Sequence, residues 1–215
     1  MTRKMKTLAP VGWFISAAAV IAMAPPPAAA QATETVLHSF RSNVPVGSNP
    51  SYKLLRDSAG NLYGTAAGGQ NGAGVLYRVD TTGRETLLHT FTGGADGAYP
   101  DSGVIGDSAG NLYGTTSGGG AANAGVVYKL DATGHETVFY SFTGGADGGT
   151  PTAGVVRDAA GNLYGTAASG GATNSGVVYR LDPAGCWRRI PGLPGLAFAS
   201  ADRLKLQTRG HRPAP

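Results

Sequence analysis

The chain has one cysteine, Cys186, among 215 residues. No disulfide can form within it, so the fold must rest on packing rather than on covalent staples. A Cys₂His₂ metal centre is excluded for the same reason. The four histidines offer no ligand spacing: His38 and His89 fall at matching places in a repeat, His135 lies in a turn and His211 lies near the end. Charge is scarce, at 14% of residues, and between residues 31 and 185 the eight basic side chains stand singly. That leaves no electrostatic footprint for nucleic acid. In the same region no segment has helical periodicity long enough to count. No G-x-S-x-G elbow, H-E-x-x-H pair or phosphate-binding glycine motif occurs.

What the chain does have is glycine, 35 residues of it, and self-similarity. Asn61-Leu62-Tyr63-Gly64-Thr65 returns as Asn111 to Thr115 and as Asn162 to Thr166. Gly74 to Asp80 recurs as Gly125 to Asp131 and Gly176 to Asp182, and Phe40, Phe91 and Phe142 stand 51 apart. A period near 50 residues marks one supersecondary unit copied in tandem, and propeller blades occupy this range. In the middle copy, Ser102 to Asp107 and Leu112 to Thr116 read as short strands. Gly125 to Asp131 alternates, with Val126, Tyr128 and Leu130 on one face and Val127 and Lys129 on the other. Glu136 to Phe142 is a fourth strand, and Gly, Asp and Asn punctuate all four.

These signals predict an all-β fold of tandem four-stranded antiparallel blades, β-propeller-like, near 53–91, 102–142 and 153–182. The last unit is expected to lack its outer strand. Closed propellers use four to eight blades, so three imply an incomplete or open ring. Gly60, Gly110 and Gly161 are expected at turns that need a positive φ. Gly64, Gly114 and Gly165, inside a strand, mark a bulge or a close backbone approach, the latter where one blade stacks on the next. Tyr63, Tyr113 and Tyr164 recur at the blade period and are expected to pack between blades.

The two ends differ from this body. Arg3, Lys4 and Lys6 precede an apolar run from Val11 to Met23, and Ala28-Ala29-Ala30 suits cleavage before Gln31. The run is shorter than the roughly 20 residues that span a bilayer, so residues 1–30 are expected to be a signal peptide. The product is then secreted, periplasmic or at the cell surface. Residues 31–185 carry eight basic and twelve acidic side chains, a net −4, while residues 186–215 carry six and one, a net +5. That basic, low-complexity tail is expected to be disordered. Its abrupt start in mid-repeat raises a shifted reading frame or a truncated gene against a native tail.

Candidate ligand contacts are Asp96, Tyr99, Asp101 and Asp147, in or beside the segments that join one unit to the next. Asp96 and Asp147 have the chemistry of cation ligands, but each linker supplies too few carboxylates for a calcium loop. Asp before Gly is a standard turn former. No catalytic residue, metal set or cofactor is identified.

The pattern Gly-Asn-Leu-Tyr-Gly-Thr, a Gly-rich loop, Gly-Val-Val-Tyr-Lys-Leu-Asp and Glu-Thr-Val-x-x-Ser-Phe-Thr-Gly-Gly-Ala-Asp-Gly resembles the bacterial GloVer (Gloeobacter–Verrucomicrobia) tandem repeat. The resemblance covers residues 34–185. It implies an exported protein of propeller-like architecture with no established activity, and it carries no catalytic residue across. The expected function is a non-enzymatic module presenting loops to a protein or glycan. The alternatives are a propeller-type hydrolase or lactonase, and an inactive fragment of a longer repeat protein. Glu34 to Phe40 matches a fourth strand without a blade of its own, so self-association through that segment is expected.

Overall fold

The computed structural model describes residues 35–40 and 47–188. The signal-peptide reading and nearly all of the tail reading lie outside the described residues. Residues 1–35 and 36–215 cluster as separate units, and the description that follows is of the second.

Blade 1 comprises β1 (Leu55–Arg56), β2 (Leu62–Ala66), β3 (Val75–Val79) and β4 (Glu85–Thr90). Blade 2 comprises β5 (Ile105–Gly106), β6 (Leu112–Thr116), β7 (Val126–Leu130) and β8 (Glu136–Ser141). Blade 3 comprises β9 (Val156–Arg157), β10 (Leu163–Ala167), β11 (Val177–Leu181) and β12 (Trp187–Arg188). Each is an antiparallel meander in chain order, and the three sheets do not close into a ring. The described residues contain no helix.

Each blade's first hairpin is tied by an aspartate. Asp107 Oδ1 accepts from the Asn111 backbone N–H at 3.0 Å, and Asp107 Oδ2 accepts from Asn111 Nδ2 and Tyr113 Oη at 2.9 and 3.0 Å. Asp57 and Asp158 bind Asn61 with Tyr63, and Asn162 with Tyr164, in the same way. The turn needs φ = +91°, +81° and +87° at Gly60, Gly110 and Gly161, as expected. Bonds from Asn61 and Asn162, the largest contributions, hold Asp57 and Asp158 below the usual carboxylate range. At Asp107 burial opposes ionisation, and the hydrogen bonds more than offset it.

Alternation along the strands gives each blade two faces. In blade 2 the leading face carries Val104, Leu112, Val126, Tyr128 and Leu130. It packs on Ala73, Leu76 and Phe91 of the preceding repeat, with Leu55 and Tyr63 at the margin. The trailing face carries Tyr113, Ala124 and Val127, which pack on Val155, Leu163, Val177, Tyr179 and Leu181 of blade 3. The expected inter-blade role of Tyr63 and Tyr113 thus holds for their rings, while their hydroxyls fasten the turn.

The structure departs from expectation in its strands and glycines. The first strand of each blade is only two residues long, because pairing with the second strand stops at Leu55, Ile105 and Val156. Gly64, Gly114 and Gly165 do mark a close approach, but the partner lies in the same sheet. They pair across the ladder with Tyr77, Tyr128 and Tyr179. A methyl group at Gly114 or Gly165 would lie 2.6 or 2.5 Å from the Tyr128 or Tyr179 Cζ. The tyrosine ring occupies the place of the missing side chain, a cross-strand aromatic rescue of glycine.

Blade 3 does possess a fourth strand. Asp182 N–H donates to Cys186 O at 2.9 Å, matching the Asp131 to His135 turn, and Asp182 Oδ1 accepts from Ala184 and Cys186 N–H. That turn brings Arg188 opposite Arg180 and Trp187 opposite Leu181. Backbone geometry, set by Asp182 and by Gly185 at φ = +77°, survives a change of side chains that breaks the repeat pattern.

Candidate functional site

Successive blades are joined by linkers in which Asp96 and Asp147 act as pins. Asp96 Oδ2 accepts from Thr92 N–H at 2.8 Å and lies 3.3 Å from His89 Nε2, while its Oδ1 accepts from Thr92 Oγ1. Asp147 accepts from Thr143 N–H and Tyr140 Oη, each at 2.9 Å, and from Thr143 Oγ1. The two carboxylates occupy equivalent turns of different linkers, and each is spent on its own loop. Burial lowers the His89 pKa, and the Asp96 carboxylate partly offsets this.

At the same point of the repeat all three copies carry a residue followed by proline. Asn49, Tyr99 and Thr150 hold φ = +52°, +58° and +52°. A residue before proline ordinarily prefers extended backbone, so all three are strained. Their neighbours hold them there. Tyr99 N–H donates to Ala73 O of the preceding repeat at 2.7 Å, and Tyr99 O accepts from Ser117 N–H at 2.9 Å. Ala98 meanwhile bridges to Gly118. Strain of this kind at three matching positions belongs to the joint and is not by itself a mark of function.

The side chains at the first of these joints between complete blades do differ. Tyr99 stands where the other copies have Asn49 and Thr150, and Asp101 where they have Ser51 and Thr152. Tyr52 stands where they have Ser102 and Ala153, and Ser117 where they have Ala67 and Ala168. These four departures meet at one place. Asp101 Oδ1 accepts from Tyr52 Oη at 3.2 Å, and Asp101 Oδ2 accepts from Ser117 Oγ at 2.5 Å. The Tyr99 ring lies beside Gly118. Tyr52 and Tyr99 are both exposed large aromatic side chains. Burial, then the Asp101 charge, then its hydrogen bond raise the Tyr52 pKa, so this hydroxyl stays a donor.

Of the four sequence candidates, the structure brings Tyr99 and Asp101 together and leaves Asp96 and Asp147 apart in their turns. Tyr52 and Ser117 were missed. The signal was available, since both break the three-copy pattern, but periodicity draws attention to what recurs.

The joint thus exposes two tyrosine rings, with a carboxylate bonded to one of them and to a serine hydroxyl. Among the described residues no three His, Cys, Asp or Glu side chains are grouped to hold a metal ion. Among the described residues, the one carboxylate outside the turns whose titration is strongly displaced is Glu136. Burial, aided by the Asp96 charge, pushes it up to about 7.

Comparison with known proteins gives three findings. The profile of the Gloeobacter/Verrucomicrobia repeat matches residues 19–191. No curated protein matches the chain. Among solved structures, a candidate gluconolactonase from a structural-genomics programme aligns at TM-score 0.40 and 19% identity, covering 62% of this chain and 44% of its own. Dipeptidyl peptidase 4 of Porphyromonas gingivalis aligns at 0.40 and 16% identity, over 72% of this chain and 19% of that one. A gluconolactonase of Xanthomonas campestris aligns at 0.30 and 15% identity, over 62% and 59% respectively. The chain thus spans less than two thirds of each of these structures.

Proposed function

The chain belongs to the Gloeobacter/Verrucomicrobia repeat family, and on that premise we propose that it is an exported, non-enzymatic scaffold that presents a tyrosine–carboxylate patch to a protein or glycan partner. The observation that carries this reading is the convergence of Tyr52, Tyr99, Asp101 and Ser117. Residues repeated at the blade period build the blade. Residues released from the repeat are the ones available for recognition, and here four of them touch or adjoin one another at a single joint.

Exposed tyrosines are well suited to the task. Each supplies a large, rigid contact area at low entropic cost, with a polar tip for hydrogen bonding. The non-enzymatic part rests on the acidic groups. Asp57, Asp107 and Asp158 form one repeated set, and Asp80, Asp131 and Asp182 another. Each is bound within its own turn. Export rests on the basic start, the apolar run and Ala28-Ala29-Ala30. On this reading the protein works outside the cytoplasm, and no cofactor is invoked.

The test is a screen of the purified chain against arrayed bacterial polysaccharides and surface proteins, repeated with Tyr99→Ala and Asp101→Asn. Binding that falls at least tenfold in both variants, but not in Asp147→Asn, is the expected result. Binding indifferent to Tyr99 and Asp101 would place recognition elsewhere. Sequencing the product recovered outside an exporting bacterium checks the leader, with Gln31 as the expected first residue.

A further inference from the structure

The three blades serve as one another's controls. On the leading face, Val104 and Val155 are 5% and 3% exposed, whereas Leu54, their counterpart in blade 1, is 43% exposed. On the trailing face Leu76 and Val127 are fully buried, whereas Val178, their counterpart in blade 3, is 50% exposed. A polar contact divides the same way. Thr65 Oγ1 donates to Ser102 O at 2.8 Å and Thr115 Oγ1 to Ala153 O at 3.0 Å, each reaching into the next blade. Thr166, at the same position in blade 3, is exposed.

The stack therefore shows one uncovered leading face and one uncovered trailing face, and its two internal junctions show that such faces fit each other. We propose that a second copy of this chain covers them head to tail, the trailing face of blade 3 receiving the leading face of blade 1. The contact is heterologous, and two copies supply six blades, within the four to eight of closed propellers. Val36–Phe40 does not pair as a strand with any sheet. It lies against blade 1 of its own chain, with His38 Nε2 2.9 Å from Glu85 Oε2 and Phe40 edge-on to Tyr77 at 4.9 Å. Phe91 meets Tyr128 and Phe142 meets Tyr179 in the same geometry. This part of the leading face is thus already dressed as at an internal junction, and the incoming copy meets Leu54 and its surroundings.

One residue departs from the internal pattern. Lys53 stands where blades 2 and 3 have Gly103 and Gly154, whose bare backbones approach Lys53 O and Gly103 O. The junction between copies is consequently wider beside the first strand than the internal ones, and Lys53→Gly narrows it.

Light scattering on the purified full chain across the micromolar range tests the proposal. Assembly is expected, and Val178→Asp and Leu54→Asp should each return the protein to single-chain mass with an unchanged β circular dichroism spectrum. Mixing the two variants should restore a two-chain species, because one copy's intact trailing face meets the other's intact leading face. Lys53→Gly should lower the dissociation midpoint severalfold. A wild-type chain that stays single, an assembly that ignores both aspartates, or one broken by Val178→Asp alone would overturn the head-to-tail contact.

Discussion

Blade 2 and blade 3 have almost the same strands, yet they live in different surroundings. Val126-Val127-Tyr128-Lys129-Leu130 and Val177-Val178-Tyr179-Arg180-Leu181 differ at one position, and their burial differs at another. Val127 is sealed by blade 3, while Val178 faces outward. A repeat array gains stability from each unit and from each junction between units. The same valine therefore has a different energetic weight according to whether a junction covers it.

The largest effect should come from testing that pair directly. Val127→Asp places an unpaired carboxylate in a closed junction and should cost more than about 4 kcal/mol. Val178→Asp, measured by urea unfolding below the concentration of assembly, should cost within about 0.5 kcal/mol. Equal costs would mean that the blade 3 face is covered in solution.

Next in size is the glycine beneath the tyrosine. Gly114→Ala drives a methyl group into the Tyr128 ring, which Phe91 holds from another direction with centroids 5.0 Å apart. It should cost about 1–3 kcal/mol by overpacking. Gly165→Ala meets the same obstacle in Tyr179, but in a blade whose outer side is free to relax, and should cost less. Comparison of urea midpoints decides it.

The two tyrosines of one blade should then part company. Tyr113→Phe removes the bond to Asp107 and should cost about 1 kcal/mol. Tyr128→Phe removes a buried hydroxyl that has no hydrogen-bond partner, so it should be neutral or stabilise by up to about 1 kcal/mol. Thermal unfolding of both variants gives the sign.

The smallest effect is a pH dependence. Glu136 titrates near 7 in the fold, above its ordinary value of 4.5, chiefly through burial. Between these values the folded chain holds a proton that the unfolded chain has lost, so stability falls as pH rises through the window. Glu136→Gln should flatten that slope, matching wild type at pH 4 and exceeding it at pH 8. Glu136 is only partly buried, so solvent screening limits the gain to under about 1 kcal/mol. Unfolding curves at both pH values that stay parallel to wild type would remove Glu136 from the account.

The blade count, the strand order and the two faces were legible in the sequence because a period-2 alternation and a 50-residue copy each leave a mark that three examples reinforce. Tyr128 and Val127 could be assigned to opposite faces from their spacing alone. The partner of Gly114 could not, since which neighbour fills a missing side chain depends on cross-strand register, and that is set by the Gly114↔Tyr128 pairing. The strand at Trp187 was hidden because side-chain pattern stops there while turn geometry at Asp182 continues. Half of the candidate patch was visible as Tyr99 and Asp101. Tyr52 and Ser117 lie 47 and 18 residues from Tyr99, and only the folded joint brings them to Asp101.

Among the described residues every strand pairs with its neighbour in the chain, and no sheet borrows a strand from a distant repeat. Only short loops must close for a blade to form, which favours rapid, local folding. During synthesis a blade can be complete soon after its own residues emerge, before the next exists. For that interval its trailing face, later hidden, is bare, and the ribosome's pace sets how long the bare interval lasts.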